Sequence, residues 1–90
     1  MANVLKVSAK SKPKSVAGAI ANMVREGETI LEAKVIGAAS LNQLCKAVAI
    51  ARGFVAPSGR DLAMIPSFTE VEINNEEKTA LFFRIEVRNK

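Results

Sequence analysis

Residues 37–59 read GAASLNQLCKAVAIARGFVAPSG, and this stretch does most to decide the fold. A turn of small residues leads to Ser40, a residue type that caps helices by accepting a backbone N–H bond. A helical pattern over residues 41–52 follows, and glycine and proline then end it within residues 53–59. The apolar positions of this predicted helix form one stripe that we expect to be buried: Leu41, Leu44, Cys45 and Val48.

The segments before this stretch predict a strand, a helix and a second strand. Residues 3–9 and 30–36 alternate apolar with polar side chains, as half-buried strands do. Residues 15–26 place apolar side chains at helical spacing. Pro13 suits the first turn of that helix, and Gly27 suits its end.

The segments after it predict two long strands, over residues 62–73 and 78–88, joined by a turn at residues 74–77. Pro66 indicates a bulge or a sheet edge, because proline cannot donate a ladder hydrogen bond. The predicted order is βαβαββ. Since βαβ crossovers are right-handed, both helices should cover one face of a four-stranded mixed sheet, an α/β two-layer sandwich.

Length and composition set limits on the class of protein. Ninety residues make one domain, residues 1–90, which is small enough that marginal stability or dimerisation is expected. No apolar run approaches the roughly 20 residues of a membrane span, and lysines interrupt the N-terminal segment where a signal peptide would be apolar. The single cysteine, Cys45, fits a reducing compartment and reads as a structural thiol. We therefore expect a cytoplasmic protein without a membrane partner.

The net charge of +4 is unevenly distributed along the chain. Residues 1–14 contain four lysines and no acid, whereas residues 61–90 contain four basic and six acidic residues. Such an imbalance favours a polyanionic partner at the N-terminal end.

Two motifs carry a family resemblance. Val7-Ser8-Ala9-Lys10-Ser11 and residues 37–59, in this order, resemble the stage V sporulation protein S family, and the resemblance extends over residues 4–87. It implies a regulatory rather than an enzymatic protein. The element order, the basic loop with proline, the glycine after the second strand and the phenylalanine after the helix (Phe54) also resemble the more distant Alba superfamily of small dimeric nucleic-acid-binding proteins.

The Alba resemblance implies that lysines of the first loop contact nucleic-acid backbone. Ammonium groups there would neutralise phosphates and release counterions, and Ser8, Ser11 and Ser15 could add hydroxyl bonds. The free backbone N–H groups at the start of the second predicted helix offer a further site for an anion. The candidate nucleic-acid-binding residues are Lys10, Lys12, Lys14, Ser40, Asn42, Gln43, Lys46 and Arg52.

Other functions remain open at this point. Residues 50–55 could leave Ile50 and Phe54 exposed as a protein-interaction surface for regulating sporulation or cell division without nucleic acid, although Phe54 could equally be a core residue. The turn at residues 37–40 could sense a small anion. Phe82, on the outward side of the last strand, could stack on a base or be covered by a dimer partner.

An enzymatic role finds no support. The chain contains no histidine, which excludes histidine-based acid–base catalysis and His-ligated zinc, and it contains no nucleotide-binding glycine motif. We expect no cofactor. The acids of the last hairpin read as a solvated strand face.

Two departures from the Alba pattern predict weak, low-specificity binding. A short acidic turn, Asn74-Asn75-Glu76-Glu77, stands where that superfamily has a long basic hairpin arm, and like charge repels phosphate. The second helix start is also less basic than is usual there. The sequence alone predicts a regulatory homodimer or higher homo-oligomer that binds RNA or DNA backbone, and it does not choose between RNA and DNA.

Overall fold

The computed structural model describes residues 4–90, so the predicted strand start at Asn3 lies outside the described residues. The elements run in the predicted βαβαββ order. They are β1 (Val4–Val7), α1 (Pro13–Arg25), β2 (Ile30–Val35), α2 (Ala38–Val55), a 3-10 turn (Ala56–Ser58), β3 (Arg60–Ile73) and β4 (Glu76–Asn89).

The four strands form one mixed sheet in the order β1-β2-β4-β3. β1 and β2 are parallel, whereas β2–β4 and β3–β4 are antiparallel. β3 is an edge strand whose register with β4 runs unbroken from Arg60–Asn89 to Ile73–Glu76. Pro66 therefore marks an edge and not a bulge, which is the second of the two predicted meanings.

The core lies between the sheet and the two helices, which cover one face, as the sequence predicts. Alternate residues of β2 and β4 point toward the helices because successive strand side chains project to opposite faces. In β2 the predicted alternation is confirmed. Fully or almost fully buried core residues include Ile20 and Val24 of α1, Leu31, Ala33 and Val35 of β2, Leu44, Val48 and Ala51 of α2, and Phe83 and Ile85 of β4.

Helix α2 differs from its prediction in two ways. It begins at Ala38, three residues before the predicted start at Leu41, and it continues through Gly53 to Val55, three residues beyond the predicted end at Arg52. Cys45 is exposed and not part of the buried stripe, while Ala47, outside the expected stripe, is completely buried. The buried residues of α2 form one stripe that is turned toward Ala47, because α2 packs against α1 as well as against the sheet.

Helix α1 begins at Pro13 and ends as predicted before Gly27, which has φ of 94°. The N–H of Gly27 donates to the carbonyl of Val24 (3.1 Å) and that of Glu28 to the carbonyl of Met23 (3.0 Å). These bonds satisfy carbonyls at the helix end, and the left-handed φ explains the glycine.

The sequence predicts a short acidic turn at residues 74–77 where the Alba superfamily has a long hairpin arm. In the structure, the β3–β4 hairpin is itself long enough to form an arm. Its last pair with β2 is Val35–Leu81, so residues 69–80 extend beyond the four-stranded part of the sheet. The turn itself is two residues, Asn74 (φ 52°) and Asn75 (φ 63°). The domain measures 44 × 23 × 18 Å. Among the helices within residues 4–90, none has the length and apolar character needed to cross a membrane.

Candidate nucleic-acid interface

The loop between β1 and α1 is a closed turn held by two serines. The backbone N–H of Ser8 donates to Oγ of Ser11 (2.9 Å), and the N–H of Ser11 donates to the carbonyl of Ser8 (3.1 Å). The N–H of Lys10 donates to Oγ of Ser8 (3.2 Å). These serine hydroxyls therefore shape the loop, while the exposed side chains of Lys10 and Lys12 project from it.

The N-terminus of α1 carries positive charge on an already positive helix end. Lys12 occupies the N-cap position in an extended conformation without a side-chain cap, and the first turn contains no acid. Lys14 and Ser15, both exposed, lie in that first turn. Because a helix N-terminus has free N–H groups and a positive dipole end, lysines there are locally unfavourable and an anion is favourable. The arrangement suits phosphate.

Helix α2 supports this loop from the side. Nε2 of Gln43 donates to the carbonyl of Ala9 (3.1 Å), a bond that joins α2 to the β1–α1 loop. Gln43 was a predicted ligand residue, and in the structure its amide nitrogen positions the loop. Asn42, the neighbouring predicted residue, is exposed at the same end of α2.

Three lysines surround one shallow depression between α1 and α2. Lys12 and Lys14 from the first helix end and Lys46 from α2 line it. Pro13, Ala49 and Ile50 form its apolar floor, and its volume is about 610 Å³. The structure thus brings Lys46 beside the loop lysines, and Ile50, which the sequence indicated as a protein-contact residue, contributes to the same surface. We call this surface the lysine face.

Ser40 has a different role from the predicted one. The N-cap of α2 is Gly37, with φ of 88°, and Ser40 lies inside the first turn with only 2% of its surface exposed. Its hydroxyl donates to the carbonyls of Ile36 and Gly37, the latter at 2.9 Å. The expected N-cap role is wrong, because the helix starts three residues earlier than its apolar pattern indicates.

Arg52 lies away from the lysine face. Six residues separate it from Lys46, which places it about 9 Å further along the helix axis and about 120° around it. Its Nε and Nη2 donate to the two carboxylate oxygens of Asp61 at 2.7 and 3.1 Å. These bonds, with a further one from the N–H of Leu62, lower the pKa of Asp61 from 3.8 to about 2. Arg52 ties the end of α2 to the start of β3.

The hairpin arm, the part of the β3–β4 hairpin that extends beyond the four-stranded sheet (residues 69–80), carries the acidic charge. Glu72 and Glu77 lie directly opposite each other, Glu70 follows on the same face, and Glu76 pairs with Lys78 at 3.2 Å. The arm is thus electronegative over most of its length. Within residues 4–90, no group of three or more His, Cys, Asp or Glu side chains is arranged to hold a metal ion.

Two comparisons with known proteins agree with this architecture. A protein-family model described as Stage V sporulation protein S (SpoVS) matches residues 3–88. Among solved structures, the chain is similar to Alba from Thermoplasma volcanium, with a TM-score of 0.68 and 11% identity, covering 97% of this chain and 100% of that chain. At this identity the second likeness concerns the fold. The Alba-like fold expected from the sequence is confirmed.

Proposed function

The chain belongs to the stage V sporulation protein S family, and on that premise we propose that it is a cytoplasmic, non-enzymatic regulatory protein that binds RNA or DNA backbone as a homodimer. The lysine face is the binding surface. Lys12, Lys14 and Lys46 supply phosphate contacts, and Lys10 and Asn42 extend the surface on the loop and on the start of α2.

The observation that carries this proposal is that Lys12, Lys14 and Lys46 all line one depression beside a helix N-terminus that has no side-chain cap. Solubility alone does not require lysines at this end of a helix, where acidic residues would stabilise it. The lysines therefore lower the stability of this end of α1, and a bound anion would offset that cost. The Alba-like fold supports the same assignment.

Binding is expected to be weak and largely independent of sequence. The acidic arm repels a phosphate backbone, so the arm does not clamp the ligand. The lysine face offers ammonium groups and not the arrays of arginine, asparagine or glutamine that read base edges. Low-specificity contact with the backbone fits these features better than recognition of one site.

The homodimer would form on the free side of β3. Phe68 is 82% exposed on the sheet face that the helices only partly cover, with exposed Pro66 and half-buried Met64 on the same side of this edge strand. A long edge strand with an exposed aromatic residue is normally protected in soluble proteins. Phe54, 49% exposed at the end of α2, offers a matched alternative surface. Sedimentation of Phe68→Asp should show monomers while Phe54→Asp remains dimeric, and the reverse result would move the interface to α2.

The experiment that tests nucleic-acid binding is fluorescence anisotropy at low salt with labelled single strands and duplexes of RNA and DNA. The variant Lys10→Glu/Lys12→Glu/Lys14→Glu changes the net charge from +4 by −6, to −2. A control, Arg25→Glu/Lys78→Glu/Lys90→Glu, makes the same change elsewhere. We expect the loop variant to lose binding and the control to keep most of it. Equal losses of binding in the two variants would show that affinity depends only on net charge. If the parent protein does not bind nucleic acid at all, a protein partner is favoured instead.

A further inference from the structure

The face of the sheet that the helices leave open contains two lysines directly opposite each other. Lys6 of β1 and Lys34 of β2 are register partners in the parallel pair, and both project to the open face. Like charges in this position destabilise a sheet. The ion pairs found within residues 4–90 use Arg52, Lys78, Arg84 and Arg88, so neither lysine is neutralised in this way.

On the neighbouring strand of the same face, the positively charged side chains are paired with a carboxylate. Arg84 and Arg88 of β4 both pair with Glu86, at 3.0 and 2.8 Å. Glu32, two residues before Lys34 on β2, lies in register with Arg84, but Arg84 pairs with Glu86. On this face the arginines are thus paired with a carboxylate, whereas Lys6 and Lys34 are in no ion pair within the described part of the chain.

This row borders a cleft of about 450 Å³ beneath the hairpin arm. The cleft is lined by residues 6–9, Lys34, Ile36 and residues 71–73. Ile36 and Ile73 are 44% and 39% exposed, and with Val71 they contribute apolar side chains to the lining. The cleft thus combines two lysines with an apolar surface, and its volume is in the range of small-molecule sites.

We propose that this cleft binds a nucleoside monophosphate unit, with the phosphate between the ammonium groups of Lys6 and Lys34 and the base against Ile36, Val71 and Ile73. A phosphate between the lysines removes their repulsion and makes two charge-assisted contacts. Glu72, which also lines the cleft, disfavours ligands with additional negative charge, such as longer polyphosphates. The unit is either a free nucleotide or one nucleotide of a single strand.

This cleft is separate from the lysine face, which lies on the helix side of the loop. The two sites share no lysine, so they can be tested independently. A failure of backbone binding at Lys10, Lys12 and Lys14 leaves the cleft unaffected, and the reverse also holds.

The experiment is a titration of the uniformly ¹⁵N-labelled full chain with adenosine 5′-monophosphate, followed by amide chemical shifts, with adenosine as the ligand that lacks phosphate. We expect saturable shifts at Lys34, Ile36 and Val71, and weaker binding of adenosine. Lys6→Gln/Lys34→Gln should weaken the monophosphate by about tenfold or more. Arg25→Gln/Lys90→Gln, which removes the same charge away from both sites, should change it little.

A second arm uses a single-stranded oligouridylate to identify the source of the nucleotide. If Lys6→Gln/Lys34→Gln weakens only adenosine monophosphate, the ligand is a free nucleotide, and if it weakens the oligonucleotide, the ligand is a unit of a chain. If this variant binds both ligands as tightly as the parent, the proposal is overturned. Its melting temperature without ligand reports folding, and we expect it to be raised because the lysine repulsion is gone.

Discussion

The substitution Ser40→Ala separates a structural serine from a ligand-binding one. Ser40 is almost completely buried, and its hydroxyl donates to two backbone carbonyls at the start of α2. Losing a buried hydrogen bond and leaving a carbonyl unsatisfied costs about 1–2 kcal/mol. For a domain of this size, each kcal/mol lowers the melting temperature by about 4–8 °C. We therefore expect a clear loss of stability.

The assay is urea unfolding followed by far-UV circular dichroism, because the chain contains neither tryptophan nor tyrosine. The midpoint should fall by about 1 M with an unchanged m-value. Ser15→Ala, at an exposed serine in the first turn of α1, is the control and should leave the midpoint nearly unchanged. All samples need one protein concentration, since dimerisation makes apparent stability concentration-dependent. An unchanged midpoint together with weaker nucleic-acid binding would refute the structural role of Ser40.

Three further predictions concern single contacts. Hydrogen bonds from Arg52 and from the N–H of Leu62 lower the pKa of Asp61 from 3.8 to about 2. The ionised carboxylate therefore stabilises the fold above pH 3.8, and this contribution is lost as the pH falls toward 2. Thermal unfolding across that range should show a smaller acid-induced loss for Asp61→Asn than for the parent, and equal losses would contradict the ion pair. Asn75→Val should destabilise by about 1–2 kcal/mol because φ is 63°, while Asn75→Gly should not, as measured by thermal unfolding. Gln43→Ala should speed amide exchange in residues 8–11 without changing exchange in β4, since the bond to Ala9 anchors that loop; unchanged exchange there would show that the bond is dispensable.

The sequence was sufficient for the fold where one periodicity dominated. The alternation of Leu31, Ala33 and Val35 identified β2 and its buried side, and Pro13 and Gly27 marked the ends of α1 within two residues. The position of helix α2 is predicted, but its buried face is rotated from the predicted one, because Ser40 and the alanines of that face do not stand out in the apolar pattern. A helix that packs on both a sheet and another helix buries small residues such as Ala47 and leaves Cys45 exposed.

The candidate site was only partly predictable for a related reason. The loop lysines are evident from local charge, and Lys46 follows from its place on the side of the predicted helix away from the apolar stripe. The hydrogen bond between Gln43 and Ala9 joins residues 34 positions apart, and nothing local indicates it. The opposition of Lys6 and Lys34 depends on the register of β1 on β2, which is fixed by the packing of the whole sheet. The ion pair of Arg52 could not be predicted because its carboxylate partner, Asp61, lies beyond a turn.

The measurement that tests the central claim most directly is the salt dependence of duplex binding. The four lysines of one protomer, Lys10, Lys12, Lys14 and Lys46, should contribute about −3.6 to the slope of log K against log salt, at about −0.9 per phosphate contact. Lys12→Gln/Lys14→Gln/Lys46→Gln should reduce this contribution per protomer to about −0.9, whereas Arg25→Gln/Lys78→Gln/Lys90→Gln should leave it unchanged. A slope that is the same in both variants would contradict backbone binding through the lysine face.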